Sequence, residues 1–318
     1  IGNTLLGFIG GSTTMLTTNS ANYKYKYAVV DGEKLVVDSP IDKADTTAGS
    51  DSEVFTRRLL AQNSQIEIND TVKAELNTTQ LAGIDKSLTV PVGFAVSASS
   101  NTKNTTTTGI TNNSTVSSDR TDGTDKGGIG LFVNYGYIKN NAAGVVNIEK
   151  GTTNGPNKQG IGIYATNSTD VTNAGQVNAG GEKSIGILGL SYRLDSKTGL
   201  AVDPVTETYY TSVNKASGTG TFGKVNVVND TTGKITMDND GAVGIFVKNN
   251  SIDKDGSGNF VVTAPVDRKT KSDIKAVNKG EITINGSNNS VAMGANNGII
   301  TNDTTGKINV NGIKSAGM

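Results

Sequence analysis

The chain is written in short runs where apolar and polar residues alternate. Lys234-Ile235-Thr236-Met237, Glu281-Ile282-Thr283-Ile284 and Lys307-Ile308-Asn309-Val310 share that period of two. Such a period predicts strands with one solvated face. Ile235/Met237, Ile282/Ile284 and Ile308/Val310 turn inward, and Lys234/Thr236, Glu281/Thr283 and Lys307/Asn309 meet water.

These runs belong to an internal repeat. Asn-Asp-Thr-Thr-Gly-Lys-Ile occurs at Asn229–Ile235 and again at Asn302–Ile308. Relaxed to Asn, one to three residues, Gly, any residue, then an alternating strand, the pattern also fits Asn141-Gly144-Val146-Ile148, Asn173-Gly175-Val177-Ala179 and Asn278-Gly280-Ile282-Ile284. A second pattern follows: Gly160-Ile161-Gly162-Ile163-Tyr164, Ser184-Ile185-Gly186-Ile187-Leu188, Ala242-Val243-Gly244-Ile245-Phe246 and Ser290-Val291-Ala292-Met293. Earlier copies are Pro91-Val92-Gly93-Phe94 and Gly128-Ile129-Gly130-Leu131-Phe132, and Ser315-Ala316-Gly317-Met318 opens another. The two patterns keep an offset of 11 residues in 175 to 186, 233 to 244 and 306 to 317, and 12 in 280 to 292. They therefore form one unit. The shortest distances between central small residues are 24 (162 to 186) and 25 (292 to 317). A unit of that length, with two strands, room for a third and Gly and Asn at corners, is a rung of a parallel β-helix.

Glycine inside a strand costs about 0.5–1 kcal/mol relative to alanine, so the central glycines need a reason, and a bend supplies one. The repeated Asn before Gly suits a corner of positive φ, with side-chain amides stacked from rung to rung. A binding site at each Asn is the functional alternative.

Spacings above the minimum locate insertions, the usual place for binding on a repeat scaffold. They fall near 97–125, 191–222 and 251–273, within repeats that run over 61–318. Residues 1–60 read as a less regular segment packing on the solenoid. In it Tyr23–Val30, Asp31-Gly32 and Lys34–Val37 read as a β-hairpin.

Composition narrows the chemistry. The 318 residues exceed what one ordinary core holds, about 250–300, unless the core grows by repetition. Hydrophobic residues make up 34%; without the 9 Tyr and with the 40 Gly this is about 44%, close to the globular average, so disorder is not expected. Lys+Arg and Asp+Glu balance at 29 each, which gives no basic field for nucleic acid. Cys, His and Trp are absent, which removes disulfides, Cys or His metal sites and histidine-based catalysis. No run of about 18 apolar residues is present. Ile1-Gly2-Asn3-Thr4 is neither an initiator Met nor a signal peptide and reads as the start of an excised piece.

Three constellations remain. Asp253, Asp255, Ser257 and Asn259, with Gly258 at the sixth position, have the spacing of a calcium loop, but Ala264 stands where a bidentate Glu belongs. A hairpin turn with Asn259–Val262 as a strand explains the same residues. Tyr192, Arg193, Asp195, Tyr209 and Tyr210 in the longest insertion are ligand-binding candidates, since exposed aromatics supply area and Arg and Asp orient polar groups; anchoring the loop is the plainer reading. Phe132, Tyr164, Leu188 and Phe246 share one offset and would stack outside the core, covered at a corner. Five Arg and no recurrent carboxylate position give an enzyme little to work with, so no catalytic residue and no cofactor is expected.

The alternation of Ser/Gly-Ile/Val-Gly-Ile-Tyr/Phe with Asn-x-Gly-x-Ile-Thr/Asn-Ile/Val, over about residues 88–318, resembles the passenger region of large fusobacterial-type autotransporter adhesins. Leu6-Gly7-Phe8 is one more copy at most. The resemblance implies a right-handed β-helical stalk exported by type V secretion and held at the outer membrane by a C-terminal β-barrel absent from this sequence. It also implies adhesion to host-cell receptors or glycans or to a partner bacterium. It carries over no binding residue.

Overall fold

In a computed structural model, the described residues are 25–30, 32–41, 57–75, 94–99, 108–119, 126–148, 159–166, 169–190, 224–248, 251–254, 260–263, 274–286, 288–296 and 298–318. They form strands and turns only. The first coil holds β1 (Tyr25–Val30) and β2 (Lys34–Val37), and the second β3 (Arg57–Gln62), β4 (Gln65–Ile68) and β5 (Val72–Glu75). Next come β6 (Phe94–Ser99), β7 (Gly109–Asn112) and β8 (Thr115–Asp119), then β9 (Lys126–Asn134), β10 (Tyr137–Asn140) and β11 (Val145–Ile148). The fifth coil is β12 (Gln159–Thr166), β13 (Thr169–Asn173) and β14 (Gln176–Ala179); the sixth is β15 (Ile185–Leu190), β16 (Val225–Asn229) and β17 (Lys234–Met237). The seventh starts with β18 (Val243–Lys248), then carries β19 (Ser251–Lys254) and β20 (Phe260–Thr263) before β21 (Ile274–Asn278) and β22 (Glu281–Ile284). The eighth has β23 (Val291–Asn296), β24 (Ile299–Asn302) and β25 (Lys307–Val310).

Apart from β19 and β20, successive strands visit three sheets in turn, and each pairs in parallel with its counterparts one coil away. The first sheet orders β1-β3-β6-β9-β12-β15-β18-β23, the second β2-β4-β7-β10-β13-β16-β21-β24 and the third β25-β22-β17-β14-β11-β8-β5. This is a parallel β-helix. Its core is the strip enclosed by the three inner faces, filled by residues such as Leu131, Ile163, Ile187 and Ile245 from the first sheet, Ile138, Val171 and Val227 from the second, and Val177, Ile235 and Ile282 from the third. Ile235, Met237, Ile282 and Ile284 are buried as the alternation requires, while Ile308 and Val310 at the last coil are partly buried against the same core.

Three expectations are corrected. β1 and β2 do not form a hairpin: β1 pairs with β3 and β2 with β4, both in parallel, so they are the first coil of the helix itself. A local turn at Asp31-Gly32 suits a hairpin and a coil corner alike, and partners about thirty residues ahead decide between them. The tract near 97–125 is not one insertion, because β7 and β8 lie inside it and occupy regular ladder places. The copy placed at Pro91–Phe94 is two residues early: Phe94 pairs with Ile129, so Ala95 takes the central small position. The antiparallel β19–β20 pair, Ser251 opposite Thr263 and Lys254 opposite Phe260, is the hairpin expected near 251–273.

The central glycines shift the phase of the first sheet's strands. Ile161 belongs to a cluster on the outer face and Ile163 to the inner core, although strict alternation would place them together. Gly162 is the extra residue between them, as in a β-bulge, and the pairing passes from Ile161–Ile185 to Ile163–Ile187. A side chain there would point along the stack. A Cβ on Gly186 would lie 2.5 Å from the Gly244 carbonyl oxygen and 2.7 Å from Ile235 Cγ2. Gly186→Ala should therefore destabilise by about 1–3 kcal/mol, as overpacking does. A melting temperature equal to that of the parent chain would show that the coils can separate to admit a methyl group.

Candidate functional site

The corner between the second and third sheets is built on asparagine. Asn112, Asn140, Asn173, Asn229, Asn278 and Asn302 are register partners in consecutive coils. The first five are completely buried. Each Nδ2 donates to the next residue's Oδ1: 2.8 Å from Asn112 to Asn140, then 2.7 Å at every step through Asn173, Asn229, Asn278 and Asn302. At the last coil Asn302 Nδ2 donates to the Gly306 carbonyl oxygen at 3.0 Å. Toward the N-terminus the same position is apolar, since Ile68 pairs with Asn112 and Val37 with Ile68.

The expected stack of amides is present, with two corrections. The ladder residue of the fourth coil is Asn140; its neighbour Asn141 sits on the surface and donates to Asn113 Oδ1 at 2.6 Å, and Asn113 to Asn69 at 2.8 Å. The ladder residues also lack positive φ. Among the described residues, positive φ at non-glycine positions occurs at Asn63, Tyr135, Lys183, Asn289 and Lys314. Three of these, with Gly241, lead from the third sheet back to the first. Directly after Lys183, Asn289 and Lys314 stand Ser184, Ser290 and Ser315, whose hydroxyls accept from Gly160 N (3.0 Å), Ala242 N (3.2 Å) and Ser290 N (3.4 Å) of the preceding coil. The Asn-Gly corner needs glycine for space: a Cβ on Gly233 would collide with the Asn173 carbonyl and the Asn229 side chain.

The stacked offset in the first sheet is also real. Phe132, Tyr164, Leu188 and Phe246 are register partners on the outer face, with Phe132 and Tyr164 edge to face at 5.1 Å between ring centres. Phe132, Tyr164 and Leu188 are buried and Phe246 partly so, in a cluster separate from the main core.

The corner between the first and second sheets carries the two longest stretches between consecutive ladder strands. β9 passes to β10 and β12 to β13 through two residues each. By contrast, 191–224 separates β15 from β16, and 249–273, including the hairpin, separates β18 from β21. Those two departures lie on adjacent coils. Leu190 pairs with Lys248 where they leave, and Val225 with Ile274 where they return. Tyr192, Arg193, Asp195, Tyr209 and Tyr210 lie outside the described residues, between Leu190 and Lys224. Asp253 lies in β19, while Asp255, Ser257 and Asn259 lie outside the described residues. The structure thus brings the roots of both candidate segments together.

Lys34 pairs with Glu67 across the outer face of the second sheet and, as the largest cause, holds the Glu67 carboxyl below its usual range. A lowered carboxylate pKa stabilises the fold above the unfolded-state pKa, and that contribution is lost as pH falls through the folded-state value. At an exposed pair it is small. The described residues hold no group of three or more Asp, Glu, Cys or His placed for a metal ion. The chain matches no protein family, no curated protein and no solved structure.

Asn229→Leu would leave Asn173 Nδ2 and Asn278 Oδ1 buried without their ladder partner, at about 1–3 kcal/mol for each stranded group. A large fall in melting temperature is expected. Asn229→Asp should be least harmful at acid pH. Burial raises the new carboxyl's folded-state pKa, so the neutral acid can still donate to Asn278 below the unfolded pKa of about 4, and stability falls as pH rises past it. A flat pH profile of stability relative to the parent would contradict this.

Proposed function

We propose that this chain is a cell-surface adhesin segment of an autotransporter passenger, with the β-helix as rod and its inserted segments as the contact surface. One observation carries the reading: 191–224 and 249–273 depart from neighbouring coils at the same corner, with roots in register, while the coils around them keep regular pairing. Segments rooted side by side on a rigid stack form one presented surface. The partner is a host-cell receptor protein or glycan, or the surface of another bacterium. Tyr192, Arg193, Asp195, Tyr209 and Tyr210 supply aromatic area and polar orientation to that surface. The balanced charge leaves recognition to local hydrogen bonds and aromatic contacts. Export by type V secretion and retention at the outer membrane through a C-terminal β-barrel complete the proposal.

A spacer is the second reading, favoured by the regularity of the ladder through six coils, which a rod needs whether or not it binds. Exchanging 191–222 for a two-residue turn like that between β12 and β13 separates the two. Saturable binding of the purified chain to host cells or partner bacteria should disappear with the exchange while the melting transition persists. Undiminished binding by the exchanged chain would refute a contact role for this segment. Loss of binding in the presence of soluble sugars assigns the partner as a glycan, and loss of binding after protease treatment of the target surface assigns it as a protein.

A further inference from the structure

The corners that follow the ladder asparagines come in two lengths, and the lengths alternate. One residue separates Asn112 from Ser114, Asn173 from Gly175 and Asn278 from Gly280; three separate Asn140 from Gly144, Asn229 from Gly233 and Asn302 from Gly306. The order along the stack is short, long, short, long, short, long. The exact heptapeptide accordingly recurs two coils apart, in β16–β17 and β24–β25.

The two kinds of corner bond differently. In a short corner two N–H groups converge on the ladder carbonyl of the long-corner coil before it: Ala174 and Gly175 donate to Asn140 O (2.7 and 3.1 Å), and Lys279 and Gly280 to Asn229 O (2.8 and 3.2 Å). In a long corner the first N–H reaches the preceding coil, as Asp230 to Asn173 O (2.7 Å) and Asp303 to Asn278 O (2.8 Å). The glycine N–H instead turns back within the corner, Gly233 to Asp230 O (2.8 Å) and Gly306 to Asp303 O (2.9 Å). The turn places a threonine hydroxyl over the short corner beneath. Thr232 Oγ1 donates to Ala174 O (2.7 Å) and Thr305 Oγ1 to Lys279 O (3.0 Å). On its other side the short-corner glycine is pressed onto the long turn before it, since a Cβ on Gly280 would collide with the carbonyls of Asp230 and Gly233.

We propose that corner length is a neighbour code: a long corner stacks only against short ones. Short corners do follow one another at 38–40, 69–71 and 113–115, before the alternation begins, whereas no two long corners adjoin among the described residues. The code answers a hazard of repetition. The strands after these corners are interchangeable in their alternation, so a slip by one coil would preserve every inward apolar residue. Where the slip passes over a short corner it would set long corners side by side, and the corners thereby specify against it.

The test uses the whole chain. Replacing Lys279 by Asp-Thr-Thr makes three adjacent long corners. The melting temperature should fall by about 4 °C or more, where 1 kcal/mol is worth about 2–4 °C in a domain of 150–250 residues. The same replacement in a background where Asp230-Thr231-Thr232 and Asp303-Thr304-Thr305 are each reduced to one Lys restores long between short. There it should cost less than half as much. Equal costs in both backgrounds would mean that only loop closure is being measured, and would overturn the code. Should that background fail to fold, two residues inserted at Asp70, whose neighbouring corners are both short, give the comparison: a fall smaller than at Lys279 is expected, and an equal or larger one overturns the proposal.

Discussion

A primary amide buried between sheets is tolerable only if both its oxygen and its nitrogen are satisfied, and that requirement organises this molecule. Parallel strands repeat at about 4.8 Å, close enough for one side-chain amide to bond its own copy on the next coil. One asparagine in the core would be a liability, but a continuous column of them satisfies itself. The column starts where Ile68 gives way to Asn112 and closes on the Gly306 carbonyl. Glycine closes the corners after Asn140, Asn229 and Asn302 because the preceding coil's ladder carbonyl occupies the volume that a Cβ would need, and those after Asn173 and Asn278 because carbonyls of the preceding corner do.

What the sequence made legible follows from which interactions are local. The strands after the Asn-Gly corner and those around the central glycine carry their alternation on their face, and both were readable. The strands of the second sheet were not, although Val225-x-Val227-x-Asn229, Ile274-x-Ala276-x-Asn278 and Thr169-x-Val171-x-Asn173 repeat a common form. Their terminal asparagine looks like the start of a turn, when it is the last inward residue of a strand. The reading of β1 and β2 as a hairpin failed for a related reason: turn chemistry is local and parallel pairing is not. Spacing arithmetic showed where residues were added, but only topology shows that two additions share a corner. The candidate residues of those segments, such as Tyr192 and Tyr209, have no comparable legibility, because they repeat nothing elsewhere in the chain.

The glycines of the first sheet show how far stacking constrains a residue that touches no ligand. In Gly162, Gly186 and Gly244 the next coil's backbone lies where a side chain would begin. The bulge they create turns one apolar residue out and the next in, so a single strand serves two hydrophobic clusters, the central core and the outer row of Phe132, Tyr164 and Leu188. A strand of simple alternation could not bury both Ile161 and Ile163 on opposite faces. This outer row gives the first sheet an apolar exterior while the outward positions of the third sheet, such as Asn147, Asn178, Thr236 and Thr283, stay polar.

The three corners of each coil therefore carry different burdens. The corner between the second and third sheets holds the ladder, and its length is restricted to two values because every asparagine there must meet its copies above and below. The corners at either end of the first sheet have no such column and vary freely, from two residues between β12 and β13 to the whole of 191–224. Insertions in a solenoid cost little when coil-to-coil contacts are kept, since loop-closure entropy grows only slowly with length. Fixing one corner is what releases the others. A column of buried amides keeps the coils in register, and the chain can then vary the length of the corner between the first and second sheets without changing the coils on either side.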